Sequence, residues 1–130
     1  MKIKHLLAML LATIGGLFGC SANANDFESV NMDEFEKVLA DSSVVRLDVR
    51  TAGEYAEGHI ADALNIDVLE DNFEQTALAK IEKSRTVALY CRSGRRSKRA
   101  ASILAKHGYK VIELSSGFNG WTKAGKPVVK

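Results

Sequence analysis

Proline is nearly absent from this chain, at one residue in 130 against ten glycines. That excludes a proline-rich linker or stalk. No sign of charge dominates: 18 basic and 16 acidic residues leave a formal net charge of +2. Lys2 and Lys4 account for two of the cations, so the chain beyond residue 24 carries 16 of each sign. Such a balance argues against a globally basic nucleic-acid binder. Cysteine is scarce, with only Cys20 and Cys91, which excludes a disulfide-stapled scaffold. No apolar run approaches the roughly 20 residues of a permanent membrane helix. No internal repeat or low-complexity stretch is present, so a long solenoid is excluded as well. What remains, at 46% hydrophobic and 26% charged residues, is globular composition sufficient for one ordinary domain.

Residues 1–24 read as a signal peptide. Lys2 and Lys4 form a positive start, Leu6 to Phe18 an apolar core, and Ala22-Asn23-Ala24 a small-x-small cleavage pattern. Leu17-Phe18-Gly19-Cys20 offers a competing pattern, since it looks like a bacterial lipobox whose cysteine would carry a lipid anchor. Phe18 is bulky for that pattern, and cleavage after Ala24 is preferred. Both readings export the protein from a bacterial cytoplasm, to the periplasm or the exterior. A lipid at Cys20 would be its only tie to a membrane. Either event leaves Cys91 as the lone free thiol of the mature chain. In an oxidising compartment such a thiol must be buried or used.

Beyond the leader, strand and helix patterns alternate. Val30 is an apolar lead-in, and Asn31 caps a predicted helix over 32–41 with Phe35, Val38 and Leu39 on one face. Residues 44–49 read as a strand buried on both faces. Thr51 and Glu54 form a capping box opening a short helix that stops at Gly58 as a C′ glycine. A short strand is predicted at 64–66. A helix over 72–81 has Phe73, Ala77, Leu78 and Ile81 at helical spacing. A strand over 86–90 ends at Cys91, a helix follows over 95–107 to Gly108, and a last strand spans 111–114. A closing helix over 118–123 contains Trp121. The alternation predicts an α/β fold, a mainly parallel sheet with helices on both faces.

The chemistry converges on Cys91-Arg92-Ser93-Gly94-Arg95-Arg96-Ser97-Lys98-Arg99. The run lies at the carboxyl end of a predicted buried strand, where open α/β sheets place their ligands. A tight turn there aims backbone N–H groups at one centre, and the helix N-terminus adds positive potential. A Cys91 thiolate would be stabilised by that field. The five cations between 92 and 99 sit on an otherwise acidic body, which fits a small anionic substrate. Arg92 and Arg95 share the loop with the thiol and are expected to act on it. Lys98 and Arg99 lie further along the helix and are read as a solvated face.

Three motifs together resemble rhodanese-like domains. Asp48-Val-Arg50, Glu54-Tyr-Ala-Glu-Gly58-His59-Ile60 and Ala63-Leu-Asn65-Ile66 look like their first signature. Cys91-Arg-Ser-Gly94-Arg-Arg-Ser97 looks like their active-site loop. Gly117-Phe118-Asn-Gly120-Trp121 with Lys126-Pro127-Val128 looks like their C-terminal signature. The resemblance covers residues 27–130 and departs at two turns. Asp62 stands where glycine is usual, and Ser116 stands where the first of two glycines is common. It implies a three-layer rhodanese-like fold and a sulfurtransferase reaction without metal or organic cofactor. In that reaction Cys91 takes sulfur from a small anionic donor such as thiosulfate and passes it, as a persulfide, to a thiol or to cyanide. Arg92, Ser93, Gly94, Arg95, Arg96 and Ser97 would bind the donor.

Asp48, Arg50 and His59 are read as shaping the site, with Arg50 paired to an acid such as Asp48 or Glu54. His59 fits a structural hydrogen bond better than a general base, and His107 suits a helix C-terminus. Two histidines without a second cysteine make a poor metal site. Trp121 reads as a packing anchor. Two rivals remain at this level. One is a persulfide carrier without turnover. The other is a cysteine-dependent phosphatase or arsenate reductase, disfavoured because its Cys-x5-Arg spacing would place arginine where Ser97 stands. Oligomeric state is not readable from the sequence.

Overall fold

Residues 26–130 are described by a computed structural model, so the signal-peptide and Cys20 readings lie outside the described residues. The strands are β1 (Glu28–Val30), β2 (Val45–Asp48), β3 (Leu64–Asn65), β4 (Val87–Tyr90) and β5 (Val111–Leu114). The helices are α1 (Met32–Leu39), α2 (Ala52–Glu57), α3 (Phe73–Lys80), α4 (Arg95–Lys106) and α5 (Gly117–Lys123). The sheet order is β1-β5-β4-β2-β3, and every neighbouring pair is parallel. The expected α/β architecture is therefore present.

Every residue of β4 and β5 is buried, as their apolar runs require of strands covered on both faces. Alternation along the strand sends successive side chains to opposite layers. Val87, Leu89 and Cys91 pack with Phe73 and Ala77 of α3 and with Ala100, Ala101 and Leu104 of α4. Ala88 and Tyr90 face the other layer, with Phe35 and Leu39 of α1 and Trp121 of α5. Trp121 meets Phe35 edge to face, and its Nε1–H donates to the Pro127 carbonyl at 2.7 Å. Register sets Asp48 beside Tyr90, so the carboxyl ends of β2 and β4 finish level. Cys91 leaves the sheet at that edge.

Several boundaries differ from the sequence reading. Val30 closes a three-residue edge strand paired with β5, too short to show a period of its own. Leu78 is exposed, because the eight-residue α3 buries only the stripe through Phe73 and Ala77, continued by Ile81. Gly58 ends α2 in an extended conformation (φ 159°, ψ 142°) and not in a left-handed cap. The chain there runs straight into a bridge between His59 and Val129. Asp62 takes φ 65°, the left-handed turn that glycine usually fills and that aspartate tolerates better than most residues.

Candidate active site

The loop Cys91–Gly94 joins β4 to α4 and is clamped from outside. The N–H groups of Phe118 and Asn119, at the start of α5, donate to the carbonyls of Cys91 (2.8 Å) and Arg92 (3.0 Å). A trans peptide points its N–H opposite to its carbonyl. Tying the Arg92 carbonyl to α5 therefore turns the Ser93 N–H of the same peptide the other way, and that N–H is one of the backbone groups that act on the sulfur. The Gly94 N–H reaches Cys91 Sγ at 3.1 Å. Two glycines make the clamp sterically feasible. A Cβ at Gly94 (φ 102°) would lie 2.5 Å from the Ser115 carbonyl oxygen. One at Gly117 (φ 65°) would lie 2.4 Å from that of Arg92.

Cys91 is fully buried at the base of this loop. Burial pushes the thiol pKa up. The Ser97 hydroxyl and the backbone N–H groups of Ser97, Gly94 and Ser93 outweigh that and hold it below the ordinary value. Ser97 Oγ is 3.4 Å from Sγ and donates to Glu113 Oε2 at 2.5 Å. Glu113, on β5, is fully buried and also accepts from Ser29 Oγ at 2.5 Å. The sequence reading missed Glu113. Its signal was a lone acid inside an otherwise apolar strand, in a sheet covered on both faces.

The loop cations separate into three kinds. Arg95 opens α4 and is exposed, and its side chain has no hydrogen bond or ion pair among the described residues. Arg92, with 62% of its side chain exposed, lies 3.5 Å from Glu54. Arg96, expected among the donor-binding residues, is instead committed to Glu54 through two hydrogen bonds of 2.8 and 3.0 Å. The Arg96 hydrogen bonds are the main cause that draws the Glu54 pKa down to about 2. Lys98 is less free than a solvated face implies. Its Nζ is 3.2 Å from the Gly94 carbonyl and 3.4 Å from Glu113 Oε2. Ser93 and Arg99 are exposed.

The residues read as shaping the site form a buried bracket beside the loop. Arg50 Nη2 bonds Asp48 Oδ2 at 2.7 Å and the Gly58 carbonyl at 2.6 Å. Its guanidinium lies 4.1 Å from the centre of the Phe118 ring, next to the clamp. Arg50, Glu54, Glu57, Arg92 and Phe118 line a cavity of about 260 Å³. His59 stands apart from the thiol's hydrogen-bond partners. Its Nδ1 pairs with the Tyr55 carbonyl at 2.8 Å, and its ring stacks on Tyr55 at 3.6 Å. His107 caps α4 and pairs with Glu74, away from the loop. Among the described residues, no group of three or more His, Cys, Asp or Glu is placed to hold a metal ion.

Residues 31–124 match the rhodanese-like domain. The chain belongs to the rhodanese-like family. Similar proteins include a sulfurtransferase of Allochromatium vinosum, 35% identical over 102 residues, spanning 77% of this chain and 92% of that one. The thiosulfate sulfurtransferase PspE of Escherichia coli is 38% identical over 71 residues, 55% of this chain and 67% of its own. Among solved structures, a rhodanese-related protein from Thermoplasma volcanium superposes with a TM-score of 0.68 at 27% identity. It covers 79% of this chain and 98% of the other. Within this rhodanese-like domain the departures fall in backbone turns. Ser116 takes a right-handed conformation and leaves the left-handed position of the α5 clamp to Gly117.

Proposed function

We propose that this rhodanese-like protein is a sulfurtransferase that works by a Cys91 persulfide. The Cys91 thiolate attacks the outer sulfur of a small anionic donor such as thiosulfate. The S–S bond of the donor breaks and sulfite departs with its electron pair. The outer sulfur stays on Cys91. A thiol or cyanide then removes it and regenerates the thiolate, a ping-pong cycle. The observation that carries this reading is the Sγ of Cys91 held among the Gly94 N–H, the Ser97 hydroxyl and neighbouring loop amides. That arrangement favours anionic sulfur, and the same donors suit a terminal persulfide. Arg95, uncommitted at the start of α4, and Arg92 supply charge for the donor and for departing sulfite. The activities named for similar proteins support the same reaction class.

We place this activity outside the cytoplasm, from the leader pattern of residues 1–24, in the periplasm or beyond. Sequencing the N-terminus of the exported protein tests that placement. A chain retaining Lys2 and Lys4 refutes it, and an acylated Cys20 replaces soluble export by anchoring. Intact mass after thiosulfate treatment tests the chemistry. A gain of one sulfur atom on Cys91 is expected, and its absence overturns the reading. Steady-state transfer to cyanide or a thiol then distinguishes a turning-over enzyme from a persulfide carrier.

A further inference from the structure

Glu113 is the only charged side chain in β5, and it is fully buried. The reaction described above does not use it. A carboxylate in such a place is unfavourable unless its oxygens are bonded, and an apolar residue would serve the sheet at least as well. Here three donors surround it: Ser29 Oγ on Oε1 at 2.5 Å, and on Oε2 Ser97 Oγ at 2.5 Å and Lys98 Nζ at 3.4 Å.

Ser97 has a single hydroxyl proton and two neighbours that compete for it. A serine hydroxyl donates once but can accept twice. While Cys91 is a thiol, its S–H donates to Ser97 Oγ and the Ser97 O–H donates to Glu113, so each group is satisfied. A thiolate has no proton to give and calls for donors. The Ser97 O–H is the nearest hydroxyl that could turn from Glu113 to Sγ. Lys98 Nζ, already beside the same Oε2, stays as donor to the released carboxylate.

We propose that Glu113 is a positioning residue of the sulfur-transfer site. Through Ser97 it competes with Cys91 for one hydroxyl proton and so sets how readily the nucleophile ionises. Lys98 takes over the carboxylate when the hydroxyl turns. The charged groups around this chain of contacts are Lys98 and Arg96 from α4, Glu113 from β5, and the exposed Arg92 of the loop and Arg95 at the start of α4. Arg96 is engaged by Glu54 of α2, β1 contributes the uncharged Ser29, and α5 presents backbone amides to the loop carbonyls. The proposal rests on Cys91 being the nucleophile, but its test uses no sulfur donor, so the two readings can fail separately.

The test is the pH profile of iodoacetamide alkylation, read at the Cys91 peptide, in four forms: wild type, Glu113→Gln, Ser97→Ala and the double variant. Glutamine still accepts from Ser97 but carries no charge and holds the hydroxyl less tightly. Glu113→Gln is therefore expected to move the midpoint down by about one pH unit. Ser97→Ala should move it up. In the Ser97→Ala background, Glu113→Gln should shift it by less than about 0.3 pH unit, because the coupling passes through the missing hydroxyl. No downward shift overturns the proposal. Equal shifts in both backgrounds also overturn it, since Glu113 then acts only as a distant charge. Should Glu113→Gln fail to fold, Lys98→Met on its half-exposed side chain carries the same cycle. The expected result is an upward shift that shrinks when Ser97 is absent, and equal shifts overturn the proposal.

Discussion

Two opposing effects meet at the Cys91 sulfur. Burial favours the neutral thiol, and hydrogen bonds from Ser97, Gly94 and Ser93 favour the thiolate and win. Cys91→Ser keeps the shape of the side chain, slightly smaller, but not the nucleophile. It is expected to abolish sulfur transfer and the persulfide mass gain while the thermal transition survives, and normal turnover by the folded variant would rule out the chemistry. The cations can be ranked by their commitments. Among the described residues the Arg95 side chain has no partner, so its charge is available to a donor. Arg95→Ala should lower kcat/KM for thiosulfate at least about tenfold, about 1.4 kcal/mol, one charge-assisted hydrogen bond. Arg92→Ala should act in the same direction. Arg99→Ala, on an exposed position beyond the first turn of α4, should cost less than about threefold and fade with added salt. Equal small losses at Arg95 and Arg99 would leave anion recognition to the backbone N–H groups. Cys91 and its loop were legible in the sequence because strand, glycine and cations are contiguous there. Glu113 and Ser29 were not. They approach the site from two other strands, and a linear pattern carries no sign of a contact 16 or 84 residues away.

At the scale of elements, α2 is a six-residue helix with no fully buried residue, and Tyr55 is its one side chain packed against the core. Polar contacts add to that anchor. Thr51 and Glu54 exchange capping-box bonds, and Glu54 reaches across to Arg96 on α4. The capping box was readable as Thr-x-x-Glu, whereas the Arg96 pairing was not, because a guanidinium's choice between a ligand and an acid depends on what the fold brings near. Thr51→Ala should cost about 1 kcal/mol in urea unfolding. Arg96→Ala should cost about 1–2 kcal/mol at neutral pH through the lost bidentate pair. Its pH dependence is signed. The folded Glu54 pKa is depressed from 4.5 to about 2, so its contribution is fully present above about 4.5 and is lost as pH falls through that interval towards 2. The variant should therefore show a flatter stability profile between pH 5 and 2, on the order of that window. A slope identical to wild type would mean that Glu54 is held by Thr51 alone.

The whole molecule is organised around the carboxyl edge of its parallel sheet. Adjacent β2 and β4 finish in register there and deliver Asp48, Arg50 and Cys91 to one end. The alternation of strands and helices made this architecture predictable, and the motif order placed Asp48 and Arg50 beside each other. The sequence left open which acid Arg50 takes. The fold settles it in favour of Asp48, because Glu54 is drawn off by Arg96. Both members of the pair are almost fully buried, and each has a second duty. Asp48 also accepts from the Arg50 backbone N–H, and Arg50 also donates to the Gly58 carbonyl while lying against Phe118. Removing one partner leaves a buried charge uncompensated. Arg50→Met is therefore expected to destabilise the domain by about 3–5 kcal/mol, a large share of the roughly 5–15 kcal/mol typical of a fold. A buried ion pair alone can often be replaced by two apolar residues at little cost. Here the double variant Asp48→Leu with Arg50→Met should recover only part of the loss, since the Gly58 carbonyl and the Arg50 amide would remain without these partners. Urea melts of the two variants decide the point. Full recovery in the double variant would make the pair a dispensable piece of packing, and partial recovery would identify Arg50 as the tie between the α2 turn and the sheet edge that carries Cys91.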